Sequence, residues 1–127
     1  MEYGITKTID LPYEQAIEKV TEELKKEGFG VLTTIDVKDT LKKKLDVDFR
    51  KYIILGACNP PFAYEALQAE EMVGLLMPCN VVIFEKDGKT VVSAFNPQII
   101  GAVSDNKKLG ELSIMLNGKI SKVMQNI

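Results

Sequence analysis

Asp87-Gly88 is the pair that most restricts how this chain can fold. It stands between two runs of strand-forming residues, Leu75 to Glu85 and Lys89 to Asn96. A two-residue Asp-Gly loop suits the type I′ turn, whose backbone twist matches that of the strands it joins. So tight a loop leaves no slack, and the pairing is set outward from it residue by residue. This predicts Phe84 opposite Val91, Val82 opposite Ser93 and Cys79 opposite Asn96. Pro78 has no N–H to give a ladder, which predicts a kink, a bulge or an edge at that point.

The rest of the chain alternates strand and helix patterns. Tyr3 to Ile9 reads as a strand. A helix follows, with Asp10 as its start signal, Pro12 in its first turn, and Tyr13, Ala16, Ile17, Val20 and Leu24 at helical spacing. Gly28, after Lys25-Lys26-Glu27, suits a helix-ending residue with positive φ. Gly30 to Ile35 is a strand rich in β-branched residues. Asp36, with Asp39 three residues on, starts a short helix striped by Leu41 and Leu45. Tyr52 to Cys58 is a nearly unbroken apolar run, as expected of a central strand buried on both faces. Asn59 and Pro60 open another helix, with Phe62, Ala63, Ala66 and Leu67 as its inner face. Pro97 to Ser104 reads as a linker. After Asp105, the residues Leu109, Leu112, Leu116, Ile120 and Val123 mark a last amphipathic helix, which either covers the domain's own sheet or docks a partner.

Composition bounds the function. At 127 residues, with 46% apolar and 27% charged residues, the chain reads as one globular domain spanning residues 1–127 that needs no disulfide or metal staple. A net charge of −2 argues against nucleic acid as a partner, because phosphate binding wants a basic face. Lys42-Lys43-Lys44, the one basic run, reads as a solvated helix face. No apolar run approaches the ~18 residues of a membrane span, and Met1-Glu2-Tyr3-Gly4 carries no secretory pattern. The expected setting is the cytoplasm, with reduced thiols. There is no histidine. Ser-His-Asp and Cys-His nucleophile pairs are thereby excluded, as are histidine-ligated zinc and the commonest general base.

The two cysteines carry the only candidate chemistry. Cys58 lies in Gly56-Ala57-Cys58-Asn59-Pro60-Pro61 and Cys79 in Met77-Pro78-Cys79-Asn80, each followed by asparagine and with a proline within two residues. Cys58 ends a strand just before a helix start, where the helix dipole can lower a thiol pKa. If the strands that carry them are neighbours, both sulfurs reach one edge of the sheet, within ~10 Å and unbonded in a reducing compartment. Asn59, Asn80 and Asn96 would then supply polar contacts. Such a patch suits a small ligand, or a soft metal ion held by Cys58 and Cys79. The plain alternative is that both cysteines are small core hydrophobes and the asparagines merely cap a helix and stop a hairpin. Gly28-Phe29-Gly30 lacks the strand-then-helix order of a dinucleotide loop, and Asp46-Val47-Asp48 lacks the glycine and distal glutamate of a calcium loop. Glu70-Glu71 are adjacent on a helix and point apart.

Gly28-Phe29-Gly30-Val31-Leu32, Leu55-Gly56-Ala57-Cys58-Asn59-Pro60, Leu75 to Val82 through Pro78-Cys79-Asn80, and Ser93-Ala94-Phe95-Asn96-Pro97 resemble a bacterial and archaeal family called domain of unknown function 302. The resemblance spans about residues 10 to 100. It implies an α+β fold, a curved and mainly antiparallel sheet of about five strands with helices packed on it, and self-association as a homodimer. It implies no activity, and it makes the two cysteine motifs the shared feature. The expected function is a homodimeric cytoplasmic domain that binds a small ligand or soft metal at Cys58, Asn59, Cys79, Asn80 and Asn96. The alternatives are a thiol-dependent enzyme using Cys58 and a non-catalytic protein-interaction module.

Overall fold

The turn at Asp87-Gly88 forms as its composition demands, with φ of 52° and 75° at its two residues. It joins two strands of a five-stranded sheet in a computed structural model that describes residues 1–127. The strands are β1 (Gly4–Ile9), β2 (Gly30–Asp36), β3 (Tyr52–Cys58), β4 (Cys79–Lys86) and β5 (Lys89–Phe95). Their order is β1-β5-β4-β3-β2, and every neighbouring pair is antiparallel. The helices are α1 (Tyr13–Lys26), α2 (Val37–Leu45), α3 (Pro60–Ala69), α4 (Gln98–Val103) and α5 (Lys107–Gln125), with a 3-10 helix at Glu71–Leu76. The fold is α+β.

Local chemistry accounts for most element ends. Gly28 stops α1 at φ 85°. The Asp36 carboxylate accepts from the Asp39 N–H and opens α2. The Asn59 side chain accepts from the Phe62 N–H at the start of α3, where Pro60 takes the first position. Three expectations are corrected. Pro97 to Ser104 contains α4 rather than a bare linker, because Ile100 is fully buried there and gives the turn something to pack on. Leu75 and Leu76 close the 3-10 helix instead of opening β4, which starts after Pro78. Of the expected inner face of α3, Phe62 and Ala66 are buried, while Leu67 is 43% exposed.

One core runs from Ile9 to Met124 and sits on one face of the sheet. Ile53, Leu55, Ala57, Val81, Ile83, Val92 and Ala94 point into it, and Ala16, Val20 and Leu24 of α1 meet them. Leu109, Leu112, Leu116, Ile120 and Val123 of α5 are all buried in the same core, so the last helix covers its own sheet and offers no docking stripe. The period-two alternation of strands leaves the other face bare. Along β3 Ile53, Leu55 and Ala57 are buried, while Tyr52, Ile54 and Cys58 are only half-buried, Gly56 being the one buried residue of the other face. The strand is therefore covered on one face, not on both as its apolar run predicts.

The bare face is built of cross-strand rows. One runs Ile35–Ile54–Val82–Ser93–Thr6, and the next Tyr52–Phe84–Val91–Thr8. The Tyr52 and Phe84 rings stack with centroids 5.1 Å apart. From Gly30 through Tyr52, covering β2, α2 and the segment after it, no residue is buried. Lys42, Lys43 and Lys44 are exposed on α2, with Lys42 paired to Asp46 and Lys43 to Asp39.

Candidate functional site

Two antiparallel ladders decide where the cysteines go. The β4–β5 pairing follows the hairpin as predicted, with Phe84 opposite Val91 and Val82 opposite Ser93, and extends to Val81 opposite Ala94. Its pairs stop short of Cys79. On the other side of β4, Cys79 faces Ala57 of β3. Cys58 is thus one residue from the partner of Cys79. By strand parity it falls on the opposite face, at the strand's last position.

Both thiols nonetheless border one small, mostly apolar cavity of about 10 Å³. Ala57, Asn59, Phe62, Met77, Pro78 and Leu116 are among its walls. That volume is about one water probe. Both cysteines are free. Burial pushes the Cys58 thiol above its ordinary value. Burial, helped by the charge of nearby Cys58, pushes Cys79 up to about 12. The helix start beside Cys58 does not offset this. Pro60 and Pro61 have no N–H, and the Phe62 N–H is already held by the Asn59 side chain. The helix start therefore offers no free N–H that would lower the Cys58 thiol pKa.

The asparagines separate. Asn59 is buried, lines the cysteine cavity, and donates from Nδ2 to the Glu27 carbonyl at 3.2 Å, which ties α3 to the end of α1. Asn80 is exposed on the bare face, opposite Gly56. Asn96 is a tether: its Nδ2 donates to the Glu2 carbonyl, and its Oδ1 accepts from the Gln98 N–H and from Asn117 Nδ2. The geometry brings Cys58, Cys79 and Asn59 together, and leaves Asn80 and Asn96 outside that cavity. No group of three or more cysteine, aspartate and glutamate side chains is arranged to hold a metal ion. Two thiols alone do not make the four-ligand set of a structural zinc site.

Sequence reasoning missed the larger cleft beside this cavity. It has a volume of about 520 Å³ and lies among the end of α1, the start of α3 and the middle of α5. Gly28, Asn59, Phe62, Glu65, Met115 and Lys119 are among its walls. Asn59, Phe62 and Leu116 border both the cleft and the cysteine cavity. Lys26 on the rim is occupied by Glu23 at 2.8 Å, and Glu27 lies 3.7 Å from Lys122. Lys119 and Glu65 form no ion pair. The available signal was Met115, an apolar residue outside the buried stripe of α5 and 56% exposed.

Residues 5–127 match the family model described as "Domain of unknown function DUF302". The chain belongs to the DUF302 family. A solved relative, described as the crystal structure of an uncharacterized conserved protein DUF302 from Bacillus stearothermophilus, superposes with a TM-score of 0.92 at 27% identity. That match covers 99% of this chain and 98% of the relative. No curated protein matches the chain. The five-stranded antiparallel sheet with its helices is thus the family fold, running through nearly the whole of both chains. No helix of this family member is long and apolar enough to cross a membrane.

Proposed function

We propose that this DUF302 protein is a homodimeric, non-enzymatic binding domain that seats a small molecule in the cleft between α1, α3 and α5. The observation that carries the reading is the common wall: Asn59, Phe62 and Leu116 separate the cleft from the cavity of Cys58 and Cys79. A volume of about 520 Å³ falls in the range of small-molecule sites, roughly 300–1,000 Å³. Phe62 and Met115 offer apolar contact, while Lys119 and Glu65 offer one charge of each sign. A small zwitterion with an apolar portion fits that lining. A soft monovalent ion such as Cu(I), content with two thiolates, is the one metal the cysteine pair suits. It would have to displace protons that burial holds firmly on both sulfurs.

The experiment is a thermal-shift screen of free amino acids, related zwitterions and Cu(I), followed by calorimetric titration of each hit. A zwitterion that raises the melting temperature, and loses most of its affinity with Lys119→Ala, supports the reading. Binding of that compound should also slow alkylation of Cys58. Unchanged affinity in Lys119→Ala, Cys58→Ser and Cys79→Ser alike would remove both the cleft and the thiols from the function.

A further inference from the structure

The bare face of the sheet has an uncharged centre, with its charged ladder pair, Lys86 and Lys89, at the turn end. The rows Ile35–Ile54–Val82–Ser93–Thr6 and Tyr52–Phe84–Val91–Thr8 hold no charged side chain, and neither does the run Thr33–Gly56–Asn80 beside them. Charged residues make up 27% of the chain. An antiparallel sheet with one face in water normally alternates apolar inward with polar outward. Here the outward set is rich in apolar and aromatic residues.

The β2–α2 arm adds a second, independent observation. It forms a strand and a helix without one fully buried residue, with Leu32 68%, Ile35 48% and Leu45 65% exposed. A nine-residue helix is too short to be stable by propensity alone. Its apolar stripe meets β2 and β3 and is only partly covered there, with Val37 and Leu41 half-buried and Leu45 exposed.

We infer that the uncharged centre of this sheet face and the β2–α2 arm together form a docking surface for a second copy of this chain. This rests on the homodimeric reading above and specifies the surface it would use. Self-pairing is favoured by charge. A two-fold interface sets each patch against itself, so a patch with a net sign would repel its copy. The central rows carry none, the Lys86–Lys89 pair standing at the turn end of the same face, and the arm from Asp36 to Asp48 is balanced, its four lysines (Lys38, Lys42, Lys43, Lys44) matched by four aspartates (Asp36, Asp39, Asp46, Asp48). Nucleic acid would need a basic face.

Area points the same way. Five strands ~4.8 Å apart and about six residues long at ~3.3 Å each present roughly 480 Å² per copy. Two copies bury about 1,000 Å² before the arm is counted, which reaches the floor for a specific interface. β4 is the middle strand, so Val82 and Phe84 stand at the centre of the patch, where association energy concentrates.

Sedimentation of the full chain at micromolar concentration should give a particle of twice 14.1 kDa. Val82→Asp, which places a charge against its own copy at the centre, should give a monomer with an unchanged circular dichroism spectrum. Ser93→Lys in the same row serves if Val82→Asp does not fold, because Ser93 contacts solvent and Thr6 rather than the core. A native protein that sediments as a monomer defeats the homodimeric reading itself. A native dimer that persists in both variants leaves that reading standing and overturns this surface.

Discussion

The helix-covered face of the sheet and the β2–α2 arm obey the same sequence rules and reach opposite outcomes. Ala16, Val20 and Leu24 of α1 recur at helical spacing and are fully buried. Leu41 and Leu45 of α2 recur at the same spacing, and neither is buried. Asp36 caps α2 as well as Asn59 caps α3. Local chemistry can therefore make an element without giving it a home. Burial depends on what the topology brings alongside: α1 lies across the middle of the sheet, while α2 leaves the edge strand and meets chiefly β2 and β3.

That contrast can be broken by mutation, and the largest effect belongs to the covered face. Ile83 is fully buried on the middle strand. Ile83→Ala should cost about 3 kcal/mol in urea-unfolding experiments, the usual range for an aliphatic side chain lost from a packed core. A cost below about 1 kcal/mol would show that the inner face is not tightly packed.

Alkaline pH sharpens the contrast next. Cys79 is raised by burial and by Cys58 to about 12, and Tyr13 is raised to about 12 by burial and by Asp36. Both groups hold their protons more tightly when folded than when unfolded. Their contribution is complete below the ordinary values of 9.0 and 10.0 and is lost as pH climbs from there toward about 12. Stability measured over that window should fall steadily, and less steeply in Cys79→Ala and Tyr13→Phe. Equal slopes in all three proteins would mean that burial does not govern these protons.

The seam between the two regions gives a smaller effect. A Cβ at Gly56 of β3 would lie 2.1 Å from Thr33 Oγ1 of β2 and 3.0 Å from Pro78 Cγ. Gly56→Ala should cost about 1–2 kcal/mol by overpacking. Most of that should be recovered in a Thr33→Ala background, with the unfolding midpoint as readout. No recovery would shift the blame to Pro78. The smallest effect is expected in the arm. Leu41→Ala should change stability by no more than about 0.5 kcal/mol in dilute monomer, as for other surface sites. A larger cost there would mean that α2 packs on its own chain after all.

Much of the site was legible in residues and little of it in space. The Asn59 cap and the free thiols could be read from the motifs. The partner of Cys79 could not, because the hairpin speaks only for the β5 side of β4, and Ala57 arrives from the β3 side. Asn96 looked like a site residue because it sits beside a strand end. One of its three side-chain hydrogen bonds is local, from the Gln98 N–H, but the other two run to Glu2 and Asn117, distant segments that no short motif announces. The cleft was invisible for the same reason, being walled by pieces of α1, α3 and α5 that are far apart along the chain.

By itself the sequence determined the elements whose causes are local: the Asp87-Gly88 turn and the register running out from it, the Gly28 stop, the caps of α2 and α3, and the apolar stripe of α5. These follow from backbone sterics and from hydrogen bonds a few residues long. Tertiary structure alone decided that β5 lies between β1 and β4, that Cys58 and Cys79 meet at one small cavity with raised pKa values, and that no residue of β2 or α2 is fully buried. Those outcomes depend on long-range pairing. Whether an apolar residue is covered or a thiol desolvated is set by segments tens of residues away, and periodicity along the chain carries no record of them.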